Sequence, residues 1–117
     1  MYADLKVANF KKYLVEVACK KRGVGHYTYN VANSYTKGVN CVTKITGKNL
    51  WAIDDYSEIK SLIQELSHPD PRSTRIDIKV RREYEEEDIK SNRTNSNGLK
   101  RYGEFLAWAK GYKNITF

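Results

Sequence analysis

The sequence predicts a mainly α fold, a small single-domain bundle of four to five helices within 117 residues. Three observations carry this expectation. Apolar residues recur at steps of three and four along most of the chain, the spacing that gathers one face of a helix. The breaks between these stretches fall at glycines, at the prolines of HPDPRST and at Ser/Asn clusters, which interrupt helices for known backbone reasons. Hydrophobic residues make up 40% and aromatics 12% of the chain, too much apolar matter for a disordered basic tail.

Each element follows in order. Val7, Phe10, Leu14 and Val17 predict one amphipathic helix over residues 3–21, ended by the glycines of KKRGVG. A second helix is expected from Tyr27 or Thr28 to Thr46, with Gly47 ending it. Its stripe is Val31, Tyr35, Gly38, Val42 and Ile45, and Gly38 on that stripe permits a close helix approach. The connection KNLWAIDD places Leu50, Trp51 and Ile53 as core plugs. Asp54 or Asp55 caps a third helix, Glu58 stands where a capping-box acid belongs, and Ile59, Leu62, Ile63 and Leu66 form the core face. RIDIKV alternates like a strand, while Ile76, Val80 and Tyr84 also fit a helix. Residues 75–80 therefore remain open between a short extended segment and helix, and 81–90 are expected helical. SNRTNSNG reads as a polar loop before a last helix that buries Leu99, Tyr102, Phe105, Leu106 and Ala109.

The net charge of +7 is unevenly placed. Residues 1–50 hold nine Lys/Arg and two Asp/Glu, residues 51–90 seven and eleven, and residues 91–117 five and one. Two basic ends around an acidic middle suit a molecule that turns one face to a polyanion, with ordinary solubilising charge as the alternative. No apolar run is long enough for a membrane span and no signal-peptide order opens the chain, so a cytoplasmic protein with no membrane partner is expected. Cys19 and Cys41 are read as reduced thiols.

Motifs for catalysis are sparse. His26 and His68 lie far apart, no CxxC pair is present, and neither a phosphate-binding P-loop nor a GxSxG elbow occurs. Pro69-Asp70 followed by Asp77-Ile78-Lys79 echoes the PD-(D/E)xK nucleases, yet the acids stand only seven apart and the chain lacks the strands of their sheet. Glu83, Glu85, Glu86, Glu87 and Asp88 point around a helix rather than at one metal, and read as a solvated face paired with Arg81, Arg82 and Lys90. Tyr13, Tyr35, Tyr84 and Tyr102 read as core or core-edge residues with wet hydroxyls. The expectation is no enzyme, no cofactor and no metal.

The second helix carries the strongest binding signal. Opposite its apolar stripe lie Tyr29, Asn33, Lys37, Asn40 and Lys44, at steps of four, four, three and four. Asparagine amides match adenine edges, and lysines neutralise phosphates. Lys20, Lys21, Arg22 and His26 stand at the helix's start and Lys48 at its exit. Lys100 and Arg101, with Arg93, Lys110 and Lys113, add phosphate contacts from the final segment.

NFKKYLVE, the Thr28-to-Tyr35 spacing and SNGLKRYGEFLAW together resemble the SAM-like core-binding domain of tyrosine recombinases. They are also similar to helical N-terminal regions of some prokaryotic restriction endonucleases and ATPases. The residues that carry the likeness include Phe10, Tyr13, Leu14, Tyr35, Leu50, Ile53, Asp54, Asp55, Ser96, Leu99, Lys100, Tyr102, Phe105 and Leu106. The segment HPDPRSTRIDIKVRREYEEED departs from the pattern, and no catalytic domain follows the match. What the resemblance implies is thus a SAM-like fold and DNA binding, without recombinase activity. The expected function is a non-catalytic DNA-binding module of a prokaryotic or phage restriction or recombination system, its partner double-stranded DNA. The alternative is a small phage or mobile-element protein that binds and inhibits a host nuclease complex.

Overall fold

The computed structural model describes residues 2–18, 28–68, 75–112 and 117. Within them the chain forms α1 (Tyr2–Tyr13), α2 (Tyr29–Thr46), α3 (Tyr56–Leu66), α4 (Ile78–Lys90) and α5 (Thr94–Ala109), with no strand among the described residues. The expected mainly α architecture is what the chain adopts. Lys20, Lys21, Arg22 and His26 lie outside the described residues, as do Cys19, Pro69, Asp70 and Lys113.

α1 buries Phe10 and Tyr13, then widens into a single π-helical stretch, Leu14–Ala18. α2 starts where Thr28 Oγ1 accepts the Val31 N–H and stops where Gly47 turns left-handed at φ 70° and donates its N–H to the Thr43 carbonyl. Its buried face is turned relative to the expected stripe. Ala32, Thr36, Gly38, Val39 and Val42 are buried, whereas Val31 and Ile45 are only half-buried. Small residues, rather than the largest apolar ones, define the contact because α2 runs close along α5. A Cβ on Gly38 would lie 2.9 Å from the Thr94 carbonyl oxygen, and one on Gly98 would lie 2.6 Å from that of Tyr35. The two glycines let the helix backbones meet.

The turn Leu50–Ala52 drives Leu50 and Trp51 into the core, while Ile53 is half-buried. There Trp51 meets Phe10 at 5.8 Å and Tyr102 edge-on at 4.9 Å, geometries that aromatic quadrupoles favour. Each such fully buried ring or aliphatic side chain stabilises the fold by about 1.5–3 kcal/mol through the water it leaves. The Tyr102 hydroxyl is dry rather than wet, 2.7 Å from the Leu50 carbonyl and 3.0 Å from that of Ile53. Within this irregular turn the Leu50 carbonyl already accepts the Ile53 N–H at 3.1 Å, so Tyr102 adds a second donor there and also serves the Ile53 carbonyl. Lys6 serves the same turn, donating to the Ile53 carbonyl at 2.8 Å and pairing with Asp54.

Asp55 caps α3 by accepting the Ser57 N–H at 2.9 Å, and Ile59, Leu62 and Leu66 face the core, with Ile63 half-buried. Asp77 resolves the ambiguity over residues 75–80. Its carboxylate accepts the Lys79 N–H at 2.7 Å, so helix begins at Ile78 and the strand alternative fails there. Arg81 then reaches back to the carbonyls of Leu66 and His68, which α3 leaves open at its end.

SNRTNSNG is mostly helix, not loop. Asn92 and Arg93 take positive φ angles of 56° and 65°, and α5 begins at Thr94. The cap comes from Asp88, which is 1% exposed rather than part of a solvated acidic face. Its carboxylate accepts the Ser96 N–H at 2.9 Å and an Arg93 N–H at 3.1 Å. Leu99, Tyr102, Phe105 and Leu106 are buried as expected, and Ala109 is exposed.

Tyr84 is buried beside this corner. Burial foremost, then the carboxylates of Asp88 and Glu85, raise its phenol well above the ordinary value of 10. The folded chain keeps a proton that the unfolded chain releases. Stability is therefore level below the ordinary tyrosine range and declines as pH climbs past it. Tyr84→Phe is expected to flatten that alkaline decline in urea melts, and an unchanged slope would contradict the assignment.

Candidate nucleic-acid interface

Capping at Thr28 sets the rotational phase of α2, and helical periodicity then puts Tyr29, Asn33, Lys37, Asn40 and Lys44 on the side away from α5. All five are exposed, Tyr29 by 59%. The structure therefore keeps this sequence-derived group together on one helix surface. Between α1 and α2 runs a groove of about 460 Å³ that takes in Asn33, Lys37 and Asn40, with Val7 and Trp51 beneath and Lys11 from α1. Lys11 is an addition that sequence reasoning missed. Its one signal was its place one turn after Val7, on a helix whose pairing with α2 only the fold reveals.

The opposite flank of α2 is different. Asn95 Nδ2 donates to the half-buried Cys41 thiol at 3.3 Å. Burial raises the thiol's pKa foremost, Glu87 and Glu83 on α4 raise it further, and Asn95 and Lys44 lower it. The acids of α4 thus act on the same α2 flank as Lys44. The polar surface of α2 has a cationic border at α1 and an anionic border at α4. The cations of this surface therefore gather towards the α1 side.

The remaining candidates scatter. Lys48 borders a separate depression of about 540 Å³ with Glu58, Glu65, Arg75 and Asp77, where cations and acids mix. Lys100 is half-buried on α5. Arg101 is a correction, since it is 4% exposed and its Nε lies 2.8 Å from Glu104, so it is spent inside the protein rather than offered to a phosphate. Glu104 in turn accepts the Phe117 N–H at 3.1 Å. Burying an arginine demands such a partner, and the i, i+3 spacing supplied it. Arg93 is half-exposed and pairs with Glu85 at 3.2 Å and Asp88 at 3.1 Å. Asp77 and Lys79 sit in the first turn of α4, where Asp77 acts as its cap.

Among the described residues no helix is long and apolar enough to cross a membrane, and no three His, Cys, Asp or Glu side chains gather as a metal site. Comparison of the chain with protein-family models, with curated proteins and with solved structures yields no match.

Proposed function

We propose that the chain is a non-catalytic DNA-binding module, of the kind that serves restriction or recombination systems of prokaryotes and phages, and that it engages duplex DNA through the exposed face of α2. The observation that carries this reading is the joint exposure of Tyr29, Asn33, Lys37, Asn40 and Lys44 beside the Lys11 groove. Such a face combines what nucleic-acid surfaces use: cations for phosphates, amides for base edges and an aromatic for stacking. A helix of this width enters the major groove of B-DNA. The SAM-like resemblance points the same way. Lys37→Glu with Lys44→Glu is expected to weaken duplex binding at least tenfold in an anisotropy titration, through two lost attractions and two new repulsions. Unchanged affinity would place the interface elsewhere.

A second reading, a protein that docks on a nuclease complex, draws on another surface. An apolar groove of about 400 Å³ runs between α1 and α5 past Leu5, Phe105, Leu106 and Ala109, with Leu5 62% exposed. Tight binding to a nuclease partner with none to free DNA would favour that reading over the first.

A further inference from the structure

The indole Nε1–H of tryptophan donates and has no capacity to accept. The Asn40 atom 2.7 Å from Trp51 Nε1 is therefore the amide oxygen Oδ1, and the NH2 group occupies the other branch of the amide. Trp51 is 6% exposed and is held between Phe10 and Tyr102, so its ring is a fixed reference within the core. A buried aromatic thus sets the orientation of an exposed side chain on the α2 face.

This changes what Asn40 presents. An unconstrained asparagine offers a donor beside an acceptor, the pattern that matches adenine N7 and N6–H2. With its oxygen turned to the indole and one lone pair engaged there, Asn40 offers a ligand two amide hydrogens against a single remaining acceptor site. In the major groove guanine presents two adjacent acceptors, N7 and O6, whereas adenine sets an N6–H2 donor beside its N7. Lys11 and Lys37 border the same groove and supply sequence-independent attraction to phosphates.

We infer that the α1–α2 groove favours guanine over adenine edges through Asn40, with Trp51 as the positioning residue that turns its oxygen inward and weights its presentation towards donation. The inference rests on the DNA-binding reading and sets a guanine match for Asn40 against the adenine match expected from sequence. It is tested by titrating the full chain, at one salt concentration, with two duplexes of equal length, one of G·C and one of A·T pairs. Wild type, Asn40→Ala and Trp51→Phe are compared.

Wild type is expected to prefer the G·C duplex by roughly fivefold or more. Both substitutions should bring the ratio close to one, with the larger loss falling on the G·C duplex. Asn40 is exposed, so Asn40→Ala reports on the groove even where Trp51→Phe loosens the aromatic cluster. A loss of overall affinity at constant ratio would mark Trp51 as merely structural and overturn the inference. Equal wild-type binding to both duplexes, a preference for A·T, or an unchanged ratio in Asn40→Ala would overturn it too, with the DNA-binding reading left standing. Binding to neither duplex would overturn both.

Discussion

Gly98→Ala is expected to destabilise the protein by about 2–3 kcal/mol, although alanine is the better helix former by about 1 kcal/mol. The added methyl would stand 2.6 Å from the Tyr35 carbonyl oxygen, 3.2 Å from its Cα and 3.3 Å from its carbonyl carbon. These are backbone atoms within a regular helix and have no rotamer through which to retreat. α2 and α5 must therefore separate, and every contact along their shared length loosens with them. Gly38 is the reciprocal position, where a methyl would meet Thr94 O at 2.9 Å and Asn95 Cα at 3.0 Å, so Gly38→Ala should follow the same direction with a smaller loss. Gly47 separates contact from conformation. Nothing lies within 4 Å of a Cβ there, and the cost of Gly47→Ala is limited to the left-handed backbone at φ 70°, about 1 kcal/mol. Thermal melts should rank the three with Gly98→Ala lowest, and a Gly98→Ala protein as stable as wild type would deny the close crossing.

Asp88→Ala is expected to cost about 2–3 kcal/mol, more than an ordinary helix cap, because the carboxylate joins two helices rather than ending one. One oxygen accepts the Ser96 N–H of α5 and the other an Arg93 guanidinium N–H, while Asp88 itself lies in the last turn of α4. Its removal leaves a partly buried N–H without its acceptor and frees Arg93 from a corner whose two preceding positive φ angles already strain the chain. Hydrogen exchange should show the first turn of α5 opening well before the rest of that helix. Glu85→Ala serves as the control, since Glu85 pairs with the same Arg93 nitrogen but is itself exposed, and a surface pair of that kind contributes less than about 1 kcal/mol. Equal losses from the two substitutions would count against the joint role of Asp88.

Local chemistry was legible wherever a residue acts on its own helix. Thr28, Gly47 and Asp55 cap by contacts within a few residues; the sequence names Gly47 as the stop of α2 and Asp55 as one of two caps for α3, with Thr28 standing as one of two helix starts. The close approach at Gly38 was legible because glycine on a buried stripe has few other uses, yet its partner Gly98 was assigned to the end of a loop. That loop was misread because serine and asparagine prefer turns in isolation. Here Asp88 supplies the cap from another helix and α2 supplies the packing, and neither is visible in the local pattern. The same holds for Arg101, whose charge suggested a surface until its burial beside Glu104 removed it. The polar face of α2 was read correctly as a set of exposed residues, since periodicity alone determines which side chains share a face. Its borders were not. Lys11 on one side and the acids of α4 on the other arrive by tertiary packing, and the bond from Trp51 to Asn40 spans eleven residues.

In the proposed function the α2 face and its α1 border hold a nucleic-acid backbone by charge. Its most direct test is the salt dependence of duplex affinity for wild type and for a Lys11→Ala, Lys37→Ala double variant. Each phosphate neutralised contributes about −0.9 to the slope of log K against log salt concentration. Wild type should show a steep negative slope, and the double variant a slope shallower by about two units with the fold intact by circular dichroism. A slope near zero for wild type, or the same slope for both proteins, would contradict it.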